Sequence, residues 1–135
     1  MSETSDWVRE HRCTYDIQPV AEMEEGQAVQ LGFELNLHAE LPVPGTITPE
    51  LVATVDAIRD RLGEILESLV PKDTKARVER VAFRRSVRFP KGSGSPMVTR
   101  SLRVFHPDYS ALKPGDREKL YATEKRLEEM GFIRA

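Results

Sequence analysis

The sequence predicts an α+β fold, a four-stranded antiparallel sheet in ββαββα order with two helices packed on one face. Three features predict it: a long segment that alternates apolar and polar residues, an amphipathic segment bounded by prolines, and a second pair of strand-like segments followed by a second helix. The 135 residues are the usual length of one domain, so residues 1–135 are expected to fold around a single core. The polar residues 1–8 are expected to be loosely ordered.

The clearest strand covers residues 27–41, where apolar side chains occupy every second position from Val29 to Leu41. Alternation with period two indicates one buried and one solvated face, which is usual in antiparallel sheets. A weaker strand precedes it over residues 12–20. Glu24-Glu25-Gly26 is expected to turn the two strands into a hairpin.

A helix is predicted over residues 48–70. Thr48 supplies a hydroxyl cap, Pro49 suits the first helical position, and Glu50 places an acid in the first turn. Apolar side chains then recur at helical spacing until Pro71 ends the segment. The outward face of this helix is acidic and carries Glu50, Asp56, Asp60, Glu64 and Glu67.

Residues 76–89 and 97–106 are predicted as two further strands, separated by a loop rich in glycine, serine and proline. Pairing the apolar faces of these strands places Phe89 opposite Val98. A second helix is predicted from about residue 114 to residue 130, with Gly131 at the position of a left-handed C-terminal cap. The resulting order of elements recurs in unrelated proteins, so it says little about function.

Charge is segregated along the chain, although the formal net charge is only −2. Residues 1–71 carry 4 Lys/Arg and 14 Asp/Glu, whereas residues 72–103 carry 10 Lys/Arg and 2 Asp/Glu. The positive charge falls on the predicted second hairpin, residues 76–106, here called the basic hairpin. Arg80, Arg84, Arg88 and Arg103 share one predicted solvent face, and Lys91 lies at the tip of the hairpin.

The basic hairpin predicts a non-enzymatic binding module that contacts nucleic acid or another polyanion through these side chains. The alternative is a homo-oligomeric assembly protein in which acidic surfaces neutralise the hairpin. A further, purely structural interpretation is that Glu34 and Glu40 on the solvated face of the first hairpin lie beside the arginines, so that the two hairpins neutralise each other within one sheet. The predicted register also places Arg84 opposite Arg103, and like charges in that position are destabilising.

Arg85 and Arg100 fall on the buried side of their predicted strands. A buried guanidinium without a partner is very costly. The two side chains are therefore expected at the sheet edge, in ion pairs with acids such as Glu64 or Glu128, or against an anion in a cleft under the helices.

The sequence predicts no catalytic residues, no metal site and no cofactor. His11, Cys13 and His38 lie on neighbouring predicted strands, but they lack the paired short spacings of structural zinc ligands. No serine lies in a nucleophile-elbow pattern. The loop that begins at Lys91 joins two strands and opens no helix, so it lacks the helix dipole that phosphate-binding loops use.

Cys13 is the only cysteine, which favours a reducing compartment and excludes an intrachain disulfide. No apolar segment approaches the roughly 20 residues that span a bilayer. Residues 1–6 lack the basic and apolar stretches of a secretory signal. A cytoplasmic protein without a membrane partner is expected.

Overall fold

The computed structural model describes residues 3–41, 49–70, 72, 75–81, 87–88, 96–106 and 123–135. It has the α+β class and the antiparallel pairing that the sequence predicts. The elements are α1 (Glu3–Glu10), β1 (Thr14–Glu24), β2 (Gln27–Glu40), α2 (Pro49–Ser68), β3 (Arg77–Val81), β4 (Val87–Arg88), β5 (Met97–Phe105), α3 (residues 123–129) and β6 (Ile133–Arg134).

The prediction of four strands in ββαββα order is wrong. The sheet follows the order β3-β5-β2-β1-β6, and β4 pairs with β5 as well. Two physical details account for the difference. The predicted third strand is divided into β3 and β4, and the short β6 adds to β1 in parallel at Thr14 and Tyr15. A helix, α1, also lies within the segment for which the sequence indicates loose order, and its Val8 is fully buried.

The hairpin of β1 and β2 is confirmed, with its turn where the sequence places it. Glu25 and Gly26 have φ values of 51° and 80°, as a tight two-residue hairpin turn requires. A bulge at Val29 interrupts the pairing, because Glu22 pairs with residue 30 and Met23 pairs with residue 28. Bulges bend a strand and increase its twist.

The tip of this hairpin projects past the neighbouring strand. The ladder between β2 and β5 ends where Gly32 pairs with Phe105. Residues 21–31, here called the arm, lie beyond that pair, and residues 21–29 are all exposed. The structure places no strand other than β1 against the arm residues of β2, among the residues it describes.

The core lies on the sheet face formed by the odd-numbered residues of β1 and β2 and the even-numbered residues of β5. α2 begins at Pro49, as predicted, and contributes its apolar stripe. α1 contributes Val8, and α3 contributes Leu127. Tyr15 on this face donates a hydrogen bond of 3.1 Å to Glu128 of α3.

A glycine cap ends α3 as the sequence indicates. Gly131 has a φ of 102° and donates its N–H to the carbonyl of Glu128 at 3.0 Å. Phe132 donates its N–H to the carbonyl of Leu127 at 3.0 Å. This pair of bonds is the Schellman arrangement, which satisfies the last helical carbonyls.

The predicted register of the basic hairpin is wrong. Val87, rather than Phe89, pairs with Val98, and Val81 pairs with Ser101. Five residues, 82–86, separate Val81 from Val87, whereas only two residues of β5 separate their partners Ser101 and Val98. The segment from β3 to β4 therefore contains three residues more than β5 does. The alternation of apolar side chains in this segment predicts one uninterrupted strand. The three extra residues instead change which alternate positions face the core on the two sides of the insertion.

Candidate functional site

The insertion separates two arginines that the sequence places on one face. Arg80 pairs with Leu102 and lies on the helix-covered face, whereas Arg103 pairs with Glu79 on the opposite face. The predicted pairing of Arg84 with Arg103 is therefore wrong as well. Arg84, Arg85 and Lys91 lie outside the described residues, as does the side chain of Arg88.

Arg103 contacts a carboxylate of the first hairpin. It pairs with Glu34 across β5 and β2, and its Nε donates a hydrogen bond of 2.8 Å to Oε1 of Glu34. The Nδ2 of Asn36 donates a second bond of 3.2 Å to Oε2 of the same glutamate. A carboxylate of the same sheet thus neutralises the charge of Arg103.

Arg80 contacts the acidic face of α2. Its Nη2 donates to Oε2 of Glu67 at 2.9 Å, and its Nε donates to the other oxygen of the same carboxylate. A two-point contact between guanidinium and carboxylate is the strongest geometry for such a pair. The hydrogen bonds from Arg80 hold the pKa of Glu67 below its ordinary value of 4.5.

Arg77 crosses the sheet to the arm. Its Nη1 donates to Glu79 at 2.9 Å, and its Nη2 donates to Glu22 of the arm. Its Cζ lies 4.4 Å from the ring centroid of Phe105, a cation–π contact. The Phe105 ring in turn lies beside Gly32, where a Cβ atom would be 2.9 Å from its Cδ1. This stack links β3, β5 and the arm.

The three contacts have one consequence for the basic hairpin. Arg77, Arg80 and Arg103 each contact a carboxylate from another part of the chain, namely Glu22, Glu67 and Glu34 respectively. Of the two acids that the sequence places beside the arginines, Glu34 makes that contact. Glu40 instead lies 3.8 Å from Arg12.

Arg100 lies under α2. A Cβ atom at Gly63 would be 3.0 Å from its Nη2 and 3.3 Å from its Cζ, so the glycine makes room for the guanidinium. The Nε of Arg100 is buried and has no hydrogen-bond partner. Of the acids named from the sequence, Glu64 pairs with Arg61, and Glu128 accepts a hydrogen bond from Tyr15. Gly63, a glycine in the middle of a helix, is the sequence feature that could have indicated this contact.

A polar row crosses the sheet face opposite the helices. His38 contacts Asp16 Oδ2 through Nε2 at 2.7 Å and Thr99 Oγ1 through Nδ1 at 2.8 Å. With a neutral imidazole protonated at Nε2, the Thr99 hydroxyl donates to Nδ1. Asn36 donates to Asp16 at 2.7 Å and accepts a hydrogen bond from Ser101.

The row has the order of groups found in hydroxyl–imidazole–carboxylate catalysis. Thr99 is only 2% exposed, however, so its hydroxyl is closed to a substrate. The row is a satisfied polar network that fixes β1, β2 and β5 relative to one another. Sequence reasoning missed this row because Asp16, His38 and Thr99 belong to three different strands whose register was unknown.

The residues weighed as metal ligands have separate environments. His11 stacks on Trp7 with ring centroids 4.3 Å apart, and its Nδ1 lies 2.9 Å from the Trp7 carbonyl oxygen. Burial raises the pKa of the Cys13 thiol to about 12. Within the described ranges, no group of three or more histidine, cysteine or acidic side chains could hold a metal ion.

Beyond Tyr15, the outer edge of β1 pairs with no other described strand. One end, the arm, carries the acids Glu24 and Glu25, together with Met23, which is 59% exposed, and Val29, which is 54% exposed. No lysine or arginine occurs in residues 13–58.

The other end of the β1 edge, here called the basic end, exposes two arginines, one of which also contacts Glu40. Arg12 has a side chain that is 80% exposed, and Arg134 of β6 is exposed as well. Ile133 beside them is 68% exposed. The acids of the arm and the two exposed arginines therefore lie at opposite ends of this edge, and each end has an exposed apolar side chain.

The chain matches no family model, no curated protein and no solved structure. No described helix has the length and apolarity to cross a membrane. An α+β fold with an antiparallel sheet hosts many unrelated functions. Function must therefore be argued from the contacts and charges of the described residues.

Proposed function

We propose that this chain is a non-enzymatic assembly protein that associates with copies of itself, and that its own carboxylates neutralise the basic hairpin. The single observation that supports this proposal best is the set of ion pairs at Arg77, Arg80 and Arg103. A phosphate that approached these guanidinium groups would have to displace a carboxylate from each. The hairpin is thereby a poor phosphate surface over the described residues.

The proposal also accounts for the charge segregation. Like charges concentrated at one end of a fold repel within a monomer, whereas opposite charges on two copies attract and steer the encounter. The arm concentrates negative charge. It also exposes apolar side chains, and association that removes them from water is favourable. Association between copies satisfies both features.

Polyanion binding is the second candidate, and one observation favours it. Residues 72–103 contain ten cations and two acids, Asp73 and Glu79, and the described residues add three carboxylates that contact these cations, namely Glu22, Glu34 and Glu67, so five cations remain in excess of these five acids. This candidate rests on Arg84, Arg88 and Lys91. It predicts binding to nucleic acid that weakens steeply with salt, because each phosphate contact releases counterions.

Sedimentation equilibrium of the full chain tests the first candidate. Runs from about 1 to about 200 μM protein, at about 50 mM and about 500 mM NaCl, compare strong with weak charge attraction. The expected result is a reversible equilibrium above the monomer mass of 15.3 kDa that shifts toward monomer at high salt. A mass of 15.3 kDa at every concentration and both salt levels would overturn the proposal.

A further inference from the structure

We propose that two copies pack about a two-fold axis along the outer edge of β1, so that the acidic arm of each copy lies against the basic end of the other. The inference rests on the proposed self-association and names its surface. The occupant of the β1 edge is thus a second copy of this chain.

The first step is the length of open edge. β6 covers the outer side of β1 only at Thr14 and Tyr15. From Asp16 to Glu24 the described residues supply no strand on that side. At about 3.3 Å per residue, this edge is about 30 Å long. The described residues leave this edge open to another chain.

The second step concerns how the edge can be used. The Tyr15 carbonyl accepts the Ala135 N–H at 2.8 Å on the outer side, so backbone groups of alternate residues, including Ile17 and Pro19, point outward. Proline has no N–H, and Pro19 lies at the middle of β1. A continuous backbone ladder is therefore interrupted there. Side chains are left to make most of the contact.

The third step is charge. A two-fold axis near the middle of β1 runs the two strands in opposite directions, so contacts occur twice and reciprocally. Glu24 and Glu25 of one copy then lie at the end that carries Arg12 and Arg134 in the other. A parallel arrangement would bring acids to acids. Only the antiparallel arrangement is complementary.

The fourth step is apolar surface. The exposed Met23 and Val29 of one arm meet the exposed Ile133 of the other copy. Pro19 and Ala21 lie between the two charged ends and are exposed as well. An apolar centre with charged groups around it is the usual composition of a specific protein interface.

Charge reversal with complementation tests this arrangement. One variant carries Glu24→Lys with Glu25→Lys, and a second carries Arg12→Glu with Arg134→Glu. Each variant alone would place like charges at both contacts, and we expect its dissociation constant to rise at least tenfold. Mixed in equal amounts, the two variants have opposite charges at both contacts, and we expect a heterodimer with affinity near that of the wild type.

Two controls accompany the mixture. Glu50→Lys with Asp60→Lys makes the same change in charge on exposed positions of α2, and it should leave self-association unchanged. Circular dichroism establishes that each variant folds, and recovery in the mixture requires folded partners.

The outcomes separate this inference from the proposal on which it rests. A wild-type chain that remains monomeric overturns both. A wild-type dimer that the charge reversals leave intact overturns the β1 interface alone. Loss of association in each variant without recovery in the mixture overturns the reciprocal two-fold arrangement.

Discussion

Arg103 and Glu34 face each other across β5 and β2, with Nε of the arginine 2.8 Å from Oε1 of the glutamate. The arginine belongs to the most basic part of the sequence, and the glutamate belongs to the acidic first hairpin. Their contact joins the two oppositely charged segments inside one sheet. A phosphate ligand would therefore compete with a carboxylate that is already in place.

Gly32→Ala should destabilise the fold by about 2–3 kcal/mol, because the new methyl group has no free volume. It would overlap the Val104 carbonyl oxygen and lie 2.9 Å from the ring of Phe105. Urea unfolding measures the loss. Gly26→Ala is the matched control, since a Cβ atom there meets nothing within 4 Å and only its φ of 80° is unfavourable, which costs about 1 kcal/mol. Equal losses in the two variants would contradict the close approach of β2 and β5.

The sequence predicted the elements whose patterns are local. The alternation over β2, the proline that begins α2, the Glu25-Gly26 turn and the Gly131 cap all specify their own conformations. The three-residue insertion between β3 and β4 has no such signature, because the arginine-rich segment alternates well enough to resemble one strand. Its effect is large, since it places Arg80 and Arg103 on opposite faces.

Glu25→Asn should stabilise the hairpin by about 0.5–1 kcal/mol, because Glu25 has a φ of 51°, where asparagine is better tolerated than glutamate. Urea unfolding of dilute protein at high salt measures this gain apart from any self-association. Glu24→Asn, at the adjacent extended position, should give no gain. A less stable Glu25→Asn variant would contradict the turn.

The stability of the polar row should depend on pH through Asp16. Burial raises the pKa of Asp16, but hydrogen bonds from His38 and Asn36 outweigh burial and hold it below the ordinary value of 3.8. A carboxylate with a lowered folded-state pKa stabilises the fold above its unfolded-state pKa and loses that contribution as the pH falls through the folded-state value.

Asp16→Asn should therefore be less stable than the wild type above about pH 4, and the difference should shrink as the pH falls below that value. Unfolding free energies measured from pH 3 to pH 6 give the profile. Asp60→Asn on the exposed face of α2 serves as the control and should track the wild type. A difference that is constant with pH would contradict the hydrogen bonding of Asp16.

Gly63 and Arg100 should be energetically coupled. In an Arg100→Met background, Gly63→Ala should stabilise α2 by about 1 kcal/mol through helix propensity. In the wild-type background the new Cβ atom lies 3.0 Å from Nη2 of Arg100, so the gain should be smaller by at least about 0.5 kcal/mol. A double-mutant cycle in urea measures the coupling. Equal gains in both backgrounds would place the guanidinium elsewhere.

The contacts that bear on function were only partly accessible to sequence reasoning. The acidic and basic segments were visible, and Glu34 was identified as an acid that would lie beside the basic hairpin. The partners Glu67 and Glu22 required the three-dimensional arrangement, which brings α2 within reach of Arg80 and the arm within reach of Arg77. Long-range ion pairs of this kind have no signature in residue spacing.

The central claim, that the chain neutralises its own basic hairpin, is tested most directly by titrating a fluorescein-labelled DNA duplex of about 20 base pairs at about 150 mM salt and following anisotropy. The wild type should bind no more tightly than about 100 μM, the weak end of non-specific binding. Glu34→Gln with Glu67→Gln should bind at least about fivefold tighter, because it removes carboxylates that compete with phosphate. Glu50→Gln with Asp60→Asn, an equal change in charge on α2, should match the wild type. Submicromolar binding by the wild type that falls steeply with salt would contradict the claim.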